Sequence, residues 1–540
     1  MHRFSTTLAL LLVITCAAHG LPDLAEGGSD RRRAAPVVVS GASPFDGCLA
    51  DDTSSQPGEV FRDSEVEPWV AVNPRDADHI IASWQQDRWS TGGARGLVTG
   101  VSFDGGRSWR EVVVPGLTFC SGGEFLRASD PWLTFTPRGE VYHLSLVVSR
   151  SLLDLLAGDA DTGRSAMLVQ KSLDGGRTWT EPIAIVDEDF GGLHDKNSIT
   201  ADPHDADFVY AVWDRLDFVA GGGPALFSRT TDGGRTWEAP RVVHDPGPDG
   251  QTVGNQILVH PDGTLIDFFT DIEVLPDPPF ERDRLGLKLS RDRGETWLPQ
   301  GRAIIAAEMR PSFNLMNPDD GQPIRGGEGL FDVAVDPRRG TLYAVWQDAR
   351  FDDTAHEAVA LSASHDGGRT WSRPVKVNKT PDDIAPLDQQ AFVPSVAVNA
   401  KGVVAVTYYD FRMNDDAPGA LTDYWAVTCR VRDNVACDEA DEFERETRLT
   451  PRSFELDNAP VARGQFLGDY VGLAAAGKNE FVAAFSTSSS TDPADVVASR
   501  VRIRRKAARD HDDDSDSDTD SDSDSDSESD ADSDTDSDSD

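Results

Sequence analysis

The octapeptide "SLDGGRTW", residues 172–179, is one of five copies of a single pattern in this 540-residue chain. The other copies are "SFDGGRSW" (102–109), "TTDGGRTW" (230–237), "SRDRGETW" (290–297) and "SHDGGRTW" (364–371). Their aspartates stand 58 to 74 residues apart and are Asp104, Asp174, Asp232, Asp292 and Asp366. A motif that returns at such intervals indicates a repeat protein in which each copy marks one supersecondary unit.

Short apolar runs surround each octapeptide in the same order. In the first unit they are "EPWVAVNP", "HIIASWQQDR", "GLVTGVSFDGGRSW" and "REVVVPG". Such runs are rich in Val, Ile, Trp and Leu and are separated by Pro, Gly, Asn and Asp, which is typical of strands and turns. The sequence therefore predicts an all-β chain of four-stranded antiparallel blades, which is a β-propeller.

Two further units keep the strands without the octapeptide. The sixth contains "FVPSVAVNAKG", "VVAVTYYDFR" and "DYWAVTCRVRDN", and the seventh contains "DYVGLAAAGK", "EFVAAFSTS" and "DVVASRVRI". The seventh has three strands, so we expect "APVVVSG" (35–41) to supply its fourth and to remove an open sheet edge. The prediction is seven blades, with six as the alternative if the last unit extends the sixth.

Each residue of the octapeptide has a structural reason. The aspartate can accept backbone N–H groups across a hairpin, and the glycine pair permits positive φ. The tryptophan is a large apolar anchor between neighbouring sheets. Turns between third and fourth strands lie at the outer rim of a propeller, where five carboxylates cannot converge. We therefore predict a structural role for the five aspartates.

The two ends of the chain differ in composition from the repeats. Residues 1–20 predict a secretory signal peptide, followed by an N-terminal segment (21–59) with the closing strand, the propeller (60–503) and a tail (504–540). The alternative for the start is a lipid anchor on Cys16. Of the net charge of -42, 17 negative charges lie between Asp510 and Asp540, so the tail predicts a solvated, disordered spacer, with weak Ca²⁺ binding as the alternative.

Composition also excludes some functions and favours a location. No segment after the start is apolar and long enough to span a membrane. The basic stretch 500–509 is too short to predict a nucleic-acid partner. Because of the predicted signal peptide, the chain is expected to be secreted, extracellular or periplasmic.

Four cysteines remain after the signal peptide, and the preferred disulfides join Cys48 to Cys120 and Cys429 to Cys437.

The octapeptide resembles the Asp-box, or BNR repeat, of sialidases and related secreted propellers. The resemblance covers residues 60–503 and implies the propeller fold and a glycan or glycoconjugate ligand. Sialidases bind the substrate carboxylate with three arginines and use a Tyr nucleophile with a Glu and an Asp acid. Here Glu67 stands where the first arginine is expected, and "WSTGGARG" (89–96) has no carboxylate where the acid is expected. The sialidase catalytic groups are thus incomplete in this alignment.

Asp-Arg pairs recur where second strands end, at the predicted mouth of the central channel. The pairs are Asp87 with Arg88, Asp214 with Arg215, Asp348 with Arg350, and Asp410 with Arg412. First strands should bring Glu67, Asp130, Asn197, Asn255, Asp332 and Asp469 with Tyr470 to the same face. The arginines either close a structural ring of salt bridges or bind an anionic ligand.

Tyr409, Asp469 and Tyr470 have no equivalent in the other units, which favours a functional site. Tyr470 is the candidate nucleophile, with Asp469 or Asp348 beside it. One hypothesis is an exo-acting, sialidase-like glycoside hydrolase. The other is a non-catalytic propeller that binds glycans or a protein partner, and the missing sialidase groups favour it. The histidines have no zinc spacing, and no motif indicates a cofactor, although a structural Ca²⁺ in an Asp-rich channel stays open.

Overall fold

The computed structural model describes residues 35–150, 163–189, 191–217, 221–277, 281–312, 314–351, 356–432 and 435–503. The predictions for the signal peptide, Cys16 and the tail lie outside these residues. The described secondary structure is strands and short 3₁₀ helices at Thr53–Ser55, Phe119–Ser121, Pro386–Gln389, Ala440–Glu442 and Leu456–Asn458. None of the described helices has the length and apolar character that crossing a bilayer requires.

The strands form four-stranded antiparallel units in chain order, after a first short strand β1 (Val37–Val38). Unit 1 contains β2 (Glu65–Asn73), β3 (Asp76–Arg88), β4 (Ala94–Ser102) and β5 (Arg110–Val113). Unit 2 contains β6 (Arg127–Phe135), β7 (Val141–Val148), β8 (Arg164–Ser172) and β9 (Ile183–Asp189), and the pairing of Ala94 with Ala128 joins units 1 and 2 into one eight-stranded sheet. Unit 3 contains β10 (Gly192–Ala201), β11 (Val209–Asp217), β12 (Ala225–Thr230) and β13 (Arg241–His244). Unit 4 contains β14 (Gly250–Val259), β15 (Leu265–Val274), β16 (Glu281–Ser290) and β17 (Ile304–Glu308).

The remaining units follow a short strand β18 (Ile324–Arg325). Unit 5 contains β19 (Phe331–Val335), β20 (Leu342–Asp348), β21 (Ala358–Ser364) and β22 (Val375–Lys376). Unit 6 contains β23 (Ala391–Val398), β24 (Val403–Asp410), β25 (Leu421–Arg430) and β26 (Arg445–Arg448), with β27 (Phe454–Glu455) also on β25. After β28 (Gln465–Phe466), unit 7 contains β29 (Gly472–Ala476), β30 (Glu480–Ser489) and β31 (Asp492–Arg502).

The units contact one another through their first strands. Each first strand contacts the first strand of the next unit, and β29 of unit 7 contacts β2 of unit 1. The strand β1 pairs with β31, with Val37 opposite Ala498, and so gives unit 7 its fourth strand. Among the described residues the contacts therefore run in a cycle, and first and last units meet at the paired chain ends.

Hydrophobic side chains fill the spaces between neighbouring units. One cluster joins Trp213 of unit 3 to Leu144 of unit 2, and another joins Trp346 of unit 5 to Phe268 of unit 4. A strand with both faces covered reads as a continuous apolar run, as "LYAVW" in β20 does, and its residues are buried. The core thus lies between the sheets.

The octapeptides form hairpin turns that hold adjacent units together. In the second copy, Asp174 Oδ1 accepts the Thr178 N–H at 2.9 Å and Oδ2 accepts the Thr178 hydroxyl at 2.7 Å. Gly176 has φ +87°, and a Cβ there would lie 2.6 Å from Ile81 Cδ1 of the preceding unit. The same close approach links Gly234 to Tyr142 and Gly294 to Phe227. The octapeptide is therefore an inter-unit contact as well as a turn.

Two disulfides are present, and both join the pairs preferred from the sequence. Cys48 is bonded to Cys120 across 72 residues of chain, and Cys429 is bonded to Cys437 across 8. The first ties the segment before unit 1 to the connection between units 1 and 2. The second closes a local loop after β25.

Candidate functional site

First strands carry a bulge at the same place in five units. The register breaks between Val66 and Trp69 in β2, and equivalent breaks occur in β6, β10, β14 and β23. The residue within each break has positive φ; these residues are Glu67 (+53°), Asp130 (+50°), Lys196 (+45°), Gly254 (+74°) and Val393 (+48°). Pro or Asn follows each of them. Bulges of this kind redirect side chains, and left-handed backbone in a non-glycine residue costs about 1–3 kcal/mol.

Three of these bulges open on one cavity of about 430 Å³. Its charged lining consists of Glu67, Arg88, Asp130, Asp195, Lys196, Arg325, Glu328, Arg463 and Asp469. The first strands of units 1, 2 and 3 supply Glu67, Asp130 and Lys196. The short parallel pair β18–β28 joins the stretches that carry Arg325 and Arg463, with Arg325 opposite Phe466.

Asp469 is the centre of an ion-pair network in this cavity. Lys196 Nζ lies 2.7 Å from Asp469 Oδ2, and Arg325 Nε donates to Asp469 Oδ1 at 2.8 Å. Lys196 Nζ also lies 3.5 Å from Glu67 Oε1 and 3.7 Å from Asp130 Oδ2. One ammonium group therefore faces carboxylates from three different units.

Burial and charge separate the pKa values of these groups. Burial raises the pKa of Glu67 to about 7, against the lowering effect of Lys196. Burial also raises the pKa of Asp195, to about 6. Burial would raise the pKa of Asp469 too, but Arg325 and Lys196 outweigh it and hold that pKa well below its usual range. One site thus holds a carboxyl that titrates near neutrality and a carboxylate that stays ionised.

Lys196 stays charged despite its burial. Burial alone would lower its pKa, but Asp130, Asp469 and Glu67 outweigh this effect and raise the pKa well above its ordinary value. The ammonium group is therefore a fixed positive charge at the bottom of the cavity.

Two arginines of the cavity have no ion pair within the described part of the chain. Arg88 is buried, its Nε has no hydrogen-bond partner, and its NH1 donates to Gln85 Oε1 at 2.6 Å. Its guanidinium carbon lies 4.9 Å from the centre of the Phe466 ring. The side chain of Arg463 reaches solvent. The nearby positive charge of Arg325 lowers the pKa of Arg463, and the partial burial of its guanidinium group adds to this effect. Guanidinium groups without a carboxylate partner are suited to binding an anion.

Tyr470, the candidate nucleophile, lies beside the cavity but is absent from its lining. Its hydroxyl has no hydrogen-bond partner within the described structure, and its ring centre lies 5.6 Å from that of Trp132. Burial raises the pKa of Tyr470 well above its ordinary value. Lys196 Nζ lies 5.6 Å from the centre of the Tyr470 ring. The tyrosine therefore packs behind the cavity lining, next to Lys196 and Trp132.

Of the four predicted Asp-Arg pairs, two form ion pairs with each other's side chains and two do not. Arg350 is paired with Asp348, with Nε 2.7 Å from Oδ1, and Arg412 is paired with Asp410 at 2.5 Å. These two arginines therefore bind their own aspartates and lie outside the cavity lining.

The other two pairs are separated. Arg215 binds Glu188 at 2.6 Å and Asp217 at 2.5 Å, whereas Asp214 is buried and neither of its oxygens has a hydrogen-bond partner in the described structure. Asp87 accepts the Ser43 hydroxyl at 2.8 Å and lies 3.3 Å from Arg95.

Tyr409 lies in an aromatic core. Its hydroxyl donates to the Ser486 carbonyl oxygen at 2.9 Å, and its ring centre lies 4.5 Å from that of Tyr424. Of the catalytic and binding residues predicted from the sequence, the cavity lining contains Glu67, Arg88 and Asp469, and it also contains Asp130, which was predicted at the same face.

Several cavity residues were not singled out from the sequence, namely Asp195, Lys196, Arg325, Glu328 and Arg463. Lys196 had a signal, because Pro or Asn follows the bulge residue in each bulged first strand. Arg325 and Arg463 lie 138 positions apart, on the connections that lead into units 5 and 7, and no repeat marks them.

Comparisons with known proteins give similarity in structure only. No protein-family model matches the chain, and no curated protein matches it. Solved structures that it resembles include a Dyadobacter fermentans protein of unknown function, with 13% identity over 88% of this chain and 99% of that one and a TM-score of 0.45. They also include the Hadza microbial sialidase Hz136, with 16% identity over 79% of this chain and 75% of that one and a TM-score of 0.43. A third is the α-L-arabinofuranosidase of Fusarium graminearum in complex with an iminosugar inhibitor. It has 12% identity over 87% of this chain and 98% of that one and a TM-score of 0.45.

Proposed function

We propose that the cavity binds an acidic sugar of a glycan, with Arg88 and Arg463 holding its anionic group. The observation that carries this proposal is the pair of arginines without an ion pair in the described structure, in the lining of a cavity whose other cations are bound by Asp469. A cavity of about 430 Å³ falls in the size range of small-molecule sites. The carboxylates and Lys196 supply both acceptors and a donor for sugar hydroxyl groups.

Binding to an array of neutral, uronic-acid, sialylated and sulfated glycans tests this proposal. We expect acidic glycans to bind and Arg463→Ala to weaken that binding at least about 10-fold, because a charge-assisted bond is lost. Arg310→Ala is the control, since Arg310 is exposed and lies outside the cavity lining. Equal binding of neutral and acidic glycans, or equal effects of the two variants, would contradict the proposal.

A second candidate function is hydrolysis of the glycosidic bond of the same sugar. Its support is the difference in pKa between Glu67 and Asp469, because an acid near neutrality beside an ionised carboxylate is the arrangement of many glycosidases. Glu67 would give its proton to the leaving oxygen. The ionised Asp469 carboxylate would stabilise the positive charge at the anomeric carbon, and water would supply the new hydroxyl group.

Turnover of aryl glycosides of the bound sugar tests the second candidate. Glu67→Gln should lower kcat by about 10²–10⁴-fold and leave binding intact, because it removes only the transferable proton. The matched control is Glu357→Gln, since burial raises the pKa of Glu357 to about 7 as well, outside the cavity lining. Turnover should fall as pH rises through about 7, where Glu67 loses its proton. Absence of turnover above that of Glu67→Gln would leave binding as the function.

We also infer that the seven units are blades of one propeller and that the chain is exported. The cycle of first-strand contacts and the pairing of β1 with β31 support the first inference. The predicted signal peptide and two disulfides support the second. N-terminal sequencing of the protein from the culture medium tests export, and a mature start near residue 21 is expected.

A further inference from the structure

Three carboxylates converge where the two ends of the described chain meet. Oxygen atoms of Glu65, Asp492 and Asp495 all lie within 4.8 Å of one another. Glu65 begins β2 of unit 1, and Asp492 and Asp495 lie in β31 of unit 7. Ser64 forms a parallel bridge with Ala494, which fixes the two strands side by side at this point.

Glu65 supplies an unsatisfied oxygen at this cluster. Its side chain is fully buried, Oε1 accepts a hydrogen bond from Gln86, and Oε2 has no hydrogen-bond partner in the described structure. A buried carboxylate oxygen without a partner is expensive, because it loses its hydration and gains nothing in return.

No cation offsets the three carboxylates. Within the described residues, no Lys, Arg or His side chain forms an ion pair with Glu65, Asp492 or Asp495. Three carboxylates this close together repel one another unless a cation lies between them.

We propose that Glu65, Asp492 and Asp495 form a binding site for a divalent cation of the calcium type. Oxygens on opposite sides of Ca²⁺ are separated by about 4.6–5.2 Å, twice its bond length to oxygen, and the 4.8 Å spread fits within this sphere. Mg²⁺ needs a tighter octahedron, and zinc prefers His and Cys, which the cluster lacks. Ser40, whose hydroxyl donates to Asp495 Oδ1 at 3.2 Å, is a neutral oxygen nearby, and water would complete the shell.

The ion would stabilise the junction between units 7 and 1. Ser40 follows β1, Asp492 and Asp495 belong to β31, and Glu65 belongs to β2, so one ion would join the segments at which units 7 and 1 meet. It would replace mutual repulsion by attraction at that junction.

Thermal unfolding of the full-length, chelator-treated protein in CaCl₂ tests the proposal. We expect 10 mM Ca²⁺ to raise Tm by about 2 °C or more, and Mg²⁺ to raise it less. Glu65→Gln should abolish the calcium response and keep Tm without calcium at or above the wild-type value, because glutamine can keep the contact with Gln86 while it removes a ligand oxygen. An unfolded variant cannot produce that combination. If Glu65→Gln does not fold, Asp492→Asn gives the same comparison.

The acidic tail requires a control, because its carboxylates are expected to bind Ca²⁺ weakly in every variant. Asp383→Asn, which changes an exposed carboxylate far along the chain, should keep the full calcium response. The proposal is overturned if the wild-type Tm does not rise with Ca²⁺, if Mg²⁺ at equal concentration has the same effect, or if Glu65→Gln responds as the wild type does.

Discussion

Single residues of the octapeptide perform separate tasks. Asp104 accepts the Ser108 hydroxyl at 2.6 Å and the Ser108 N–H at 2.9 Å, and these bonds lower its pKa to about 2. Trp297 packs edge-on against Phe227 of the preceding unit, with ring centres 5.3 Å apart. The aspartate therefore shapes the hairpin, and the tryptophan and second glycine hold it against the neighbour.

Replacing the second glycine should destabilise the protein by two separable effects. Gly176→Ala places a Cβ 2.6 Å from Ile81 Cδ1 at a residue with φ +87°. Backbone strain and the clash together should lower the free energy of unfolding by about 2–4 kcal/mol. Chemical denaturation gives the value.

Gly263→Ala is the matched control for that prediction. Gly263 has φ +85°, and a Cβ there has nothing within 4 Å, so only the backbone cost of about 1 kcal/mol applies. Equal losses in the two variants would mean that Gly176 makes no special contact with unit 1.

Among the elements, the first strands position the site, and the two-residue strand β1 completes the last unit. The bulges of β2, β6 and β10 bring Glu67, Asp130 and Lys196 to one cavity. At the other end of the sheet order, β1 contributes two residues, and Val39 beyond it donates its N–H to the Val496 carbonyl oxygen at 2.8 Å. Because β1 has two residues, its contribution to stability depends mainly on how the side chains in and beside it pack against the neighbouring strands.

The contribution of β1 should depend on which face a residue occupies. Val39 is buried in a cluster with Phe45 and Trp84, so Val39→Ala should lower the free energy of unfolding by about 1–3 kcal/mol. Val38 is 54% exposed, and Val38→Ala should change it by less than about 0.5 kcal/mol. Denaturant titration of both variants measures the difference. A larger effect at Val38 would contradict the described register.

Across the whole molecule, contacts between units link stability to pH. His143 of unit 2 is fully buried and lies 2.9 Å from the Ser83 hydroxyl of unit 1, and burial lowers its pKa to about 3. Between about pH 3 and 6.5 the unfolded chain binds a proton there that the folded chain does not. This contribution to stability is therefore present above about 6.5 and is lost as pH falls.

His143→Gln should remove that pH dependence. Glutamine can still bond to Ser83 and does not titrate. Below about pH 6.5 the wild type should lose stability relative to the variant by at most about 1.4 kcal/mol per pH unit, and above it the difference should be constant. Unfolding curves across this range measure it; parallel curves throughout would refute the assignment.

The sequence by itself determined the repeats, the strand order and the cysteine pairs. The repeats and strands are local properties: an apolar run, a turn and an Asp-Gly-Gly hairpin each specify their own conformation, and five copies fix the phase of the pattern. The pairing of Cys48 with Cys120 spans 72 residues and was the preferred one of the possible pairings. The sequence also singled out Glu67, Arg88 and Asp469, because the beginnings of first strands and the ends of second strands are expected at one face of the repeat units.

Only the tertiary structure decided which charged residues meet in the cavity. Lys196, Arg325 and Asp469 stand in different parts of the chain, and their contacts depend on bulges and on the β18–β28 pair, which no period in the sequence marks. It likewise separated Arg215 from Asp214 and gave it Glu188 instead. Side-chain pairing depends on distances of a few ångströms between strands far apart in sequence, and a repeat pattern fixes the strands but leaves those distances undetermined.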